Sequence, residues 1–117
     1  MNDQIKEKIL ASIETAKQKG YTLVSEEFGD ESSKCACALG CVAVANGFQI
    51  SENLKDVAGV LQVSDQWINS FIYGFDGIGW ASGAEDPDAW KMGQDIASET
   101  KPVSYQQFFR LHGDKYK

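Results

Sequence analysis

The sequence predicts an all-α protein: a single compact domain over residues 1–117, built from five or six short helices with an αα-corner at 51–73. Three observations lead there. Apolar residues recur at three- and four-residue spacing in several separate stretches, which places them on one face of a helix. Capping residues open those stretches, and glycine or proline closes them. Finally, 117 residues that are 43% hydrophobic and 24% charged have room for one core and enough apolar side chain to fill it.

Asn2 or Asp3 can cap the first helix, which carries Ile5, Ile9, Leu10, Ile13 and Ala16 and stops at Gly20. Tyr21 to Val24 is β-prone but too short to found a sheet, and Glu26 to Ser33 reads as a polar loop. A second helix is expected from about Lys34 to Asn46, ending at Gly47. Small or apolar on every side, it should be the most buried. Ser51 can cap a third helix with Leu54, Val57, Ala58 and Leu61 on one face, and Ser64 a fourth with Trp67, Ile68, Phe71 and Ile72. That fourth helix should end at Gly74, and a loop should follow to residue 86. Asp86-Pro87-Asp88 is a cap, a proline at the first helical position and an acid for the helix dipole, so a fifth helix starts there. Pro102 breaks it, and Ser104 can cap a last helix with Tyr105, Phe108, Phe109 and Leu111.

Acids outnumber bases 17 to 11, for a net charge of −6. Between Lys55 and Lys101 only Lys91 is basic, while Asp56, Asp65, Asp76, Glu85, Asp86, Asp88, Asp95 and Glu99 are acidic. Phosphate neutralisation supplies most nucleic-acid affinity, so this stretch disfavours nucleic acid as a partner, and anionic membranes with it. A basic protein fits the same field. The amino-terminal residues show no signal peptide, and the longest nearly apolar run, Cys35 to Gly47, is too short to span a bilayer. Three cysteines within seven positions make no disulfide framework, and a reducing cytoplasm is the simplest compartment.

In the segment 54–71, Ala58 is small where two helices must approach, Val63 can plug the gap after a turn, Ser64 can cap, and Ile68 and Phe71 can seat the second helix. This resembles the helix-turn-helix of repressor-type DNA-binding proteins. The resemblance implies a recognition helix that offers Ser64, Gln66 and Asn69 to base edges. The segment departs from the family at Gln62, where glycine is common, and its second helix has no lysine or arginine. A plain helix corner, or one used for protein contact, fits the charge better.

Cys35, Cys37 and Cys41 form a C-x-C-x3-C pattern that could bind zinc or an iron–sulfur cluster, but a fourth ligand is missing and the only histidine is His112. Their small apolar neighbours favour buried cysteines and no metal. A reactive thiol at the start of the second helix, Cys35, is the functional alternative.

The loop from Gly74 to Gly83 holds four glycines among Phe75, Ile78 and Trp80. Its spacing fits neither a dinucleotide fingerprint nor an EF-hand. Either the large side chains fold back as anchors, or Phe75 and Trp80 are exposed as contact residues on a hinged loop, with Asp76, Glu85 and Asp86 as an acidic rim. Enzyme signatures are weak, since His112 has no visible nucleophile, and no cofactor is implied. The expected function is therefore macromolecular binding, with a protein as the partner: a regulator, an inhibitor or an immunity-type factor. The alternatives are a DNA-binding transcriptional regulator and a thiol or metal site at the cysteines.

Overall fold

The computed structural model describes residues 2–50, 54–79 and 85–112. Among them are six helices: α1 (Asn2–Gln18), α2 (Ala38–Ala45), α3 (Lys55–Leu61), α4 (Asp65–Phe75), α5 (Pro87–Thr100) and α6 (Tyr105–His112). Four short strands join them: β1 (Thr22–Ser25), β2 (Gly29–Asp30), β3 (Cys35–Ala36) and β4 (Val103–Ser104). The protein is mostly helical, as expected, but it is not all-α. The chain divides into two compact units, residues 1–8 with 53–101 and residues 9–52 with 102–117.

The 53–101 unit is helical. Ser64 Oγ accepts the Trp67 amide at 3.1 Å and starts α4. Asp86 accepts the amides of Asp88 and Ala89, both at 3.1 Å, ahead of Pro87 at the start of α5. Both starts follow from the residue types alone. The cap expected at Ser51 lies outside the described residues. Between α3 and α4 the turn takes Gln62 into the left-handed region, φ 58°, where it ends α3. Glycine would do this without the roughly 1–2 kcal/mol that a Cβ costs there.

On α4, Trp67, Phe71 and Phe75 lie four residues apart and stack, with ring centroids at 5.4 and 6.0 Å. This face is buried, and α5 supplies buried Ala89, Met92, Gly93 and Ile96. The two helices touch backbone to backbone. A Cβ on Gly74 would strike the Trp90 carbonyl, and one on Gly93 would strike the Phe71 carbonyl and the Phe75 amide nitrogen. Gly74 therefore does not end α4, which runs on to Phe75; its role is close approach.

The 9–52 unit holds the sheet, in the order β2-β3-β1-β4. β1 pairs parallel with both β3 and β4, and β2 pairs antiparallel with β3. Tyr21 to Val24, too short by sequence to found a sheet, thus supplies most of β1, one of its two inner strands. The expected loop at 26–33 contains β2, and Cys35–Ala36 is a strand instead of the first turn of α2. Val24, Cys35 and Phe108 form a buried cluster, with Val103 and Tyr105 against it. α2 is the most buried helix, as its composition requires: Ala38 to Val44 are all buried.

Three helices end alike. Tyr21 N–H donates to Ala16 O, Phe48 N–H to Ala43 O and Ile78 N–H to Tyr73 O, at 2.8–3.0 Å. In each case the preceding glycine, Gly20, Gly47 or Gly77, has φ between 78° and 93°. This is the Schellman cap, and it projects the residue after the glycine beyond the helix end. The residues so placed are Tyr21, Phe48 and Ile78.

Candidate functional site

The strongest candidate contact site of the 53–101 unit is the turn after α4. The Asp76 amide donates to Ile72 O at 2.9 Å and closes the helix. Both backbone polar groups of the next large residue, Ile78, are engaged: its N–H by Tyr73 O, and its carbonyl by Trp90 Nε1 at 3.0 Å. Its side chain is left 39% exposed, the largest exposure of any bulky apolar residue described. Open space surrounds Gly77 and Gly79 on either side of it. An apolar side chain is thus held out on a backbone fixed at both ends, so little ordering entropy remains to oppose binding.

The acidic rim is anchored separately. Ser70, 1% exposed, accepts the amides of Glu85 and Asp86 on its Oγ, each at 2.9 Å. One buried hydroxyl therefore ties the returning chain to α4. It leaves the Glu85 side chain exposed and Asp86 free to cap α5.

Of the five residues predicted for partner contact, Asp76 stands at the turn itself, and Glu85 and Asp86 are held to α4 by Ser70. Phase by phase along α4, Phe75 falls on the buried stripe: it is 4% exposed and stacked on Phe71, so it is core and not a contact residue. Its four-residue spacing from Trp67 and Phe71 carried that signal in the sequence. Trp80 lies outside the described residues. Sequence reasoning missed Ile78 as an exposed residue, and Ser70 and Trp90 as the groups that position the turn.

Ser64, Gln66 and Asn69 are all on the exposed side of α4, but the Ser64 hydroxyl is occupied as the helix cap. The unit carrying this face has ten acids and five bases. Among the described basic residues, Lys6 binds Glu99 at 2.9 Å and Lys8 donates to Val60 O at 3.1 Å.

Cys35, Cys37 and Cys41 are all buried. Cys37, not Cys35, stands at the start of α2, and its Sγ accepts the Gly40 amide at 3.3 Å. Cys41 Sγ lies 4.0 Å from Ala36 O. Burial pushes the thiols of Cys35 and Cys41 above their ordinary range, which opposes thiolate formation. The reading of Cys35 as a reactive thiol at a helix start is therefore corrected: it sits on β3 with its thiol held protonated. Among the described residues no group of three or more histidine, cysteine or acidic side chains is placed to hold a metal ion.

No helix among the described residues is long and apolar enough to cross a membrane. Comparison with protein-family models, curated proteins and solved structures found no match.

Proposed function

We propose that this protein acts by binding another protein, as a regulator, an inhibitor or an immunity-type factor, and that Ile78 is the centre of the contact. The observation that carries this reading is the pairing of an exposed apolar side chain with a backbone pinned by Tyr73 and Trp90. Asp76, Glu85 and Asp86 form the polar rim that a buried apolar contact requires, and they select a basic partner. DNA is the competing partner, through Gln66 and Asn69, and the acidic excess of the unit opposes it.

A photo-reactive amino acid at position 79, beside Ile78, tests the reading. In the cell of origin it should give one predominant adduct with a basic protein. The same group at Gly59, exposed on α3, should give none. Ile78→Ser should abolish the adduct while leaving the melting temperature unchanged. Equal adducts at 79 and 59, or an adduct insensitive to Ile78→Ser, would overturn it. Salt-sensitive, sequence-selective retardation of duplex DNA would favour the competing use of α4.

A further inference from the structure

The caps of α1 and α2 build a second site, independent of Ile78. Tyr21 and Phe48, the residues projected by those two caps, line one cleft of about 280 Å³ with Lys19, Lys34, Glu31 and Gln49. Lys19 is the residue before Gly20 in the cap of α1, so cap geometry places it beside Tyr21. Lys34 Nζ stands 5.0 Å from the centre of the Tyr21 ring.

Two features set this cleft apart from an ordinary hollow. The first is the backbone of Lys34. It closes the hairpin turn between β2 and β3 with φ 56°, where glycine or asparagine is the economical choice. A lysine there accepts that strain and delivers a cation onto an aromatic face. The second is the charge. Among the described residues neither Lys19 nor Lys34 pairs with a carboxylate. Glu31, the one acid among the described residues lining the cleft, accepts the Ile50 amide on one oxygen at 3.4 Å, so the two lysines outnumber it. Phe48 is 37% exposed at the same cleft. Two cations, one carboxylate and two rings thus converge, a local positive excess in a protein whose net charge is −6.

We propose that this cleft binds a small aromatic anion, a planar ring carrying a phosphate or carboxylate. The anionic group sits between Lys19 and Lys34, and the ring lies against Phe48. The volume sets the size class. It is just below the roughly 300–1,000 Å³ of drug-sized pockets and holds one ring and one charged group. Tyr21 contributes a hydroxyl donor that stays protonated, because burial and the nearby Glu31 raise its pKa.

Phenyl phosphate is the probe, followed by amide chemical shifts in solution. It should produce saturable shifts at Tyr21, Lys34 and Phe48. Inorganic phosphate and phenol, each carrying half of the chemistry, should bind about tenfold more weakly or not at all. Lys34→Asn keeps a residue suited to the left-handed turn while removing the cation. Combined with Lys19→Gln, it should weaken phenyl phosphate at least about tenfold. Phe48→Ala should weaken phenyl phosphate and leave inorganic phosphate unchanged. Shifts that do not saturate, that map elsewhere, that match those of inorganic phosphate, or that survive the double lysine replacement would each overturn the proposal.

Discussion

Both units rely on a glycine pressed against a neighbouring backbone, but the neighbours differ. In the 53–101 unit the contact is reciprocal and helical: Gly74 faces the Trp90 backbone, and Gly93 faces the backbone of Phe71 and Phe75. In the 9–52 unit Gly40 of α2 faces the carbonyl of Phe28, which lies between β1 and β2 and also accepts the Cys37 amide at 2.9 Å. A helix backbone cannot yield without breaking its own ladder. A connecting segment can yield, at the cost of one hydrogen bond. The worth of a close-approach glycine is therefore set by the freedom of what it touches.

The largest effect should come from Gly93→Ala. The new methyl meets two backbone groups inside α4, next to the Phe71–Phe75 stack. Overpacking of this kind costs about 3 kcal/mol. For a chain of this size that is a drop of roughly 10 °C or more in melting temperature. Calorimetry checks it; a drop of under about 3 °C would show that the two helices can slide apart.

Gly40→Ala should cost less, about 2 kcal/mol, because the Phe28 segment can move once its bond to Cys37 is released. Thiol alkylation reads this unit directly, since all three cysteines lie in it and all are buried. Labelling of the wild type should be slow at pH 8 and should accelerate in Gly40→Ala. The thiols also give the unit a pH dependence of known sign. Folding raises the pKa of Cys35 and Cys41 from the ordinary value of 9.0, so the folded state keeps protons that the unfolded chain gives up. The stabilisation is complete below about pH 9 and is lost as pH rises above it. Denaturant midpoints at pH 7 and pH 10 should show the fall, and replacing both thiols by alanine should flatten it.

The two units also differ in how plainly the sequence announces them. In the 53–101 unit, Ser64, Asp86 and Pro87 start helices by local chemistry, and the stripes on α4 and α5 repeat at 3.6 residues. Everything needed is within a few positions, so both helix starts were legible. The sheet was not. Its strands are two to four residues long, too short to show a period of two, and β1 pairs with β4 some eighty residues away. Cys35 and Ala36 are small and apolar, and nothing local tells a buried strand from the first turn of the buried helix that follows. The candidate contact site was legible in part. Asp76, Glu85 and Asp86 are singled out by charge alone, and Phe75 is left open between anchor and contact, because the glycine beside it reads as a helix stop when it is in fact a close approach that lets α4 run on and bury Phe75.

Ser70→Ala isolates the tether of the acidic rim. It removes one buried acceptor that serves two amides, those of Glu85 and Asp86. Losing the shared acceptor of two part-buried amides costs about 1 kcal/mol. Because the tether holds Glu85 and Asp86 and not the Ile78 turn, adduct yield at position 79 should fall less than with Ile78→Ser. An equal fall would mean that the rim, and not Ile78, carries the contact.

The smallest effect should have the opposite sign, and it sharpens the rule about neighbours. Gly59 is also a helical glycine, in α3, yet a Cβ built on it meets nothing within 4 Å. It is exposed, and its only consequence for folding is the backbone freedom it adds to the unfolded chain. Gly59→Ala should therefore stabilise the protein by about 0.5–1 kcal/mol, a rise of a few degrees in melting temperature. The same substitution at Gly93 and at Gly59 thus changes the same atoms, and only the surroundings differ. If both variants lost stability, the cost at Gly93 could not be assigned to the helix crossing. If Gly59→Ala gains while Gly93→Ala loses, the difference between them measures the α4–α5 contact directly, since the intrinsic helix preference of alanine over glycine cancels between the two.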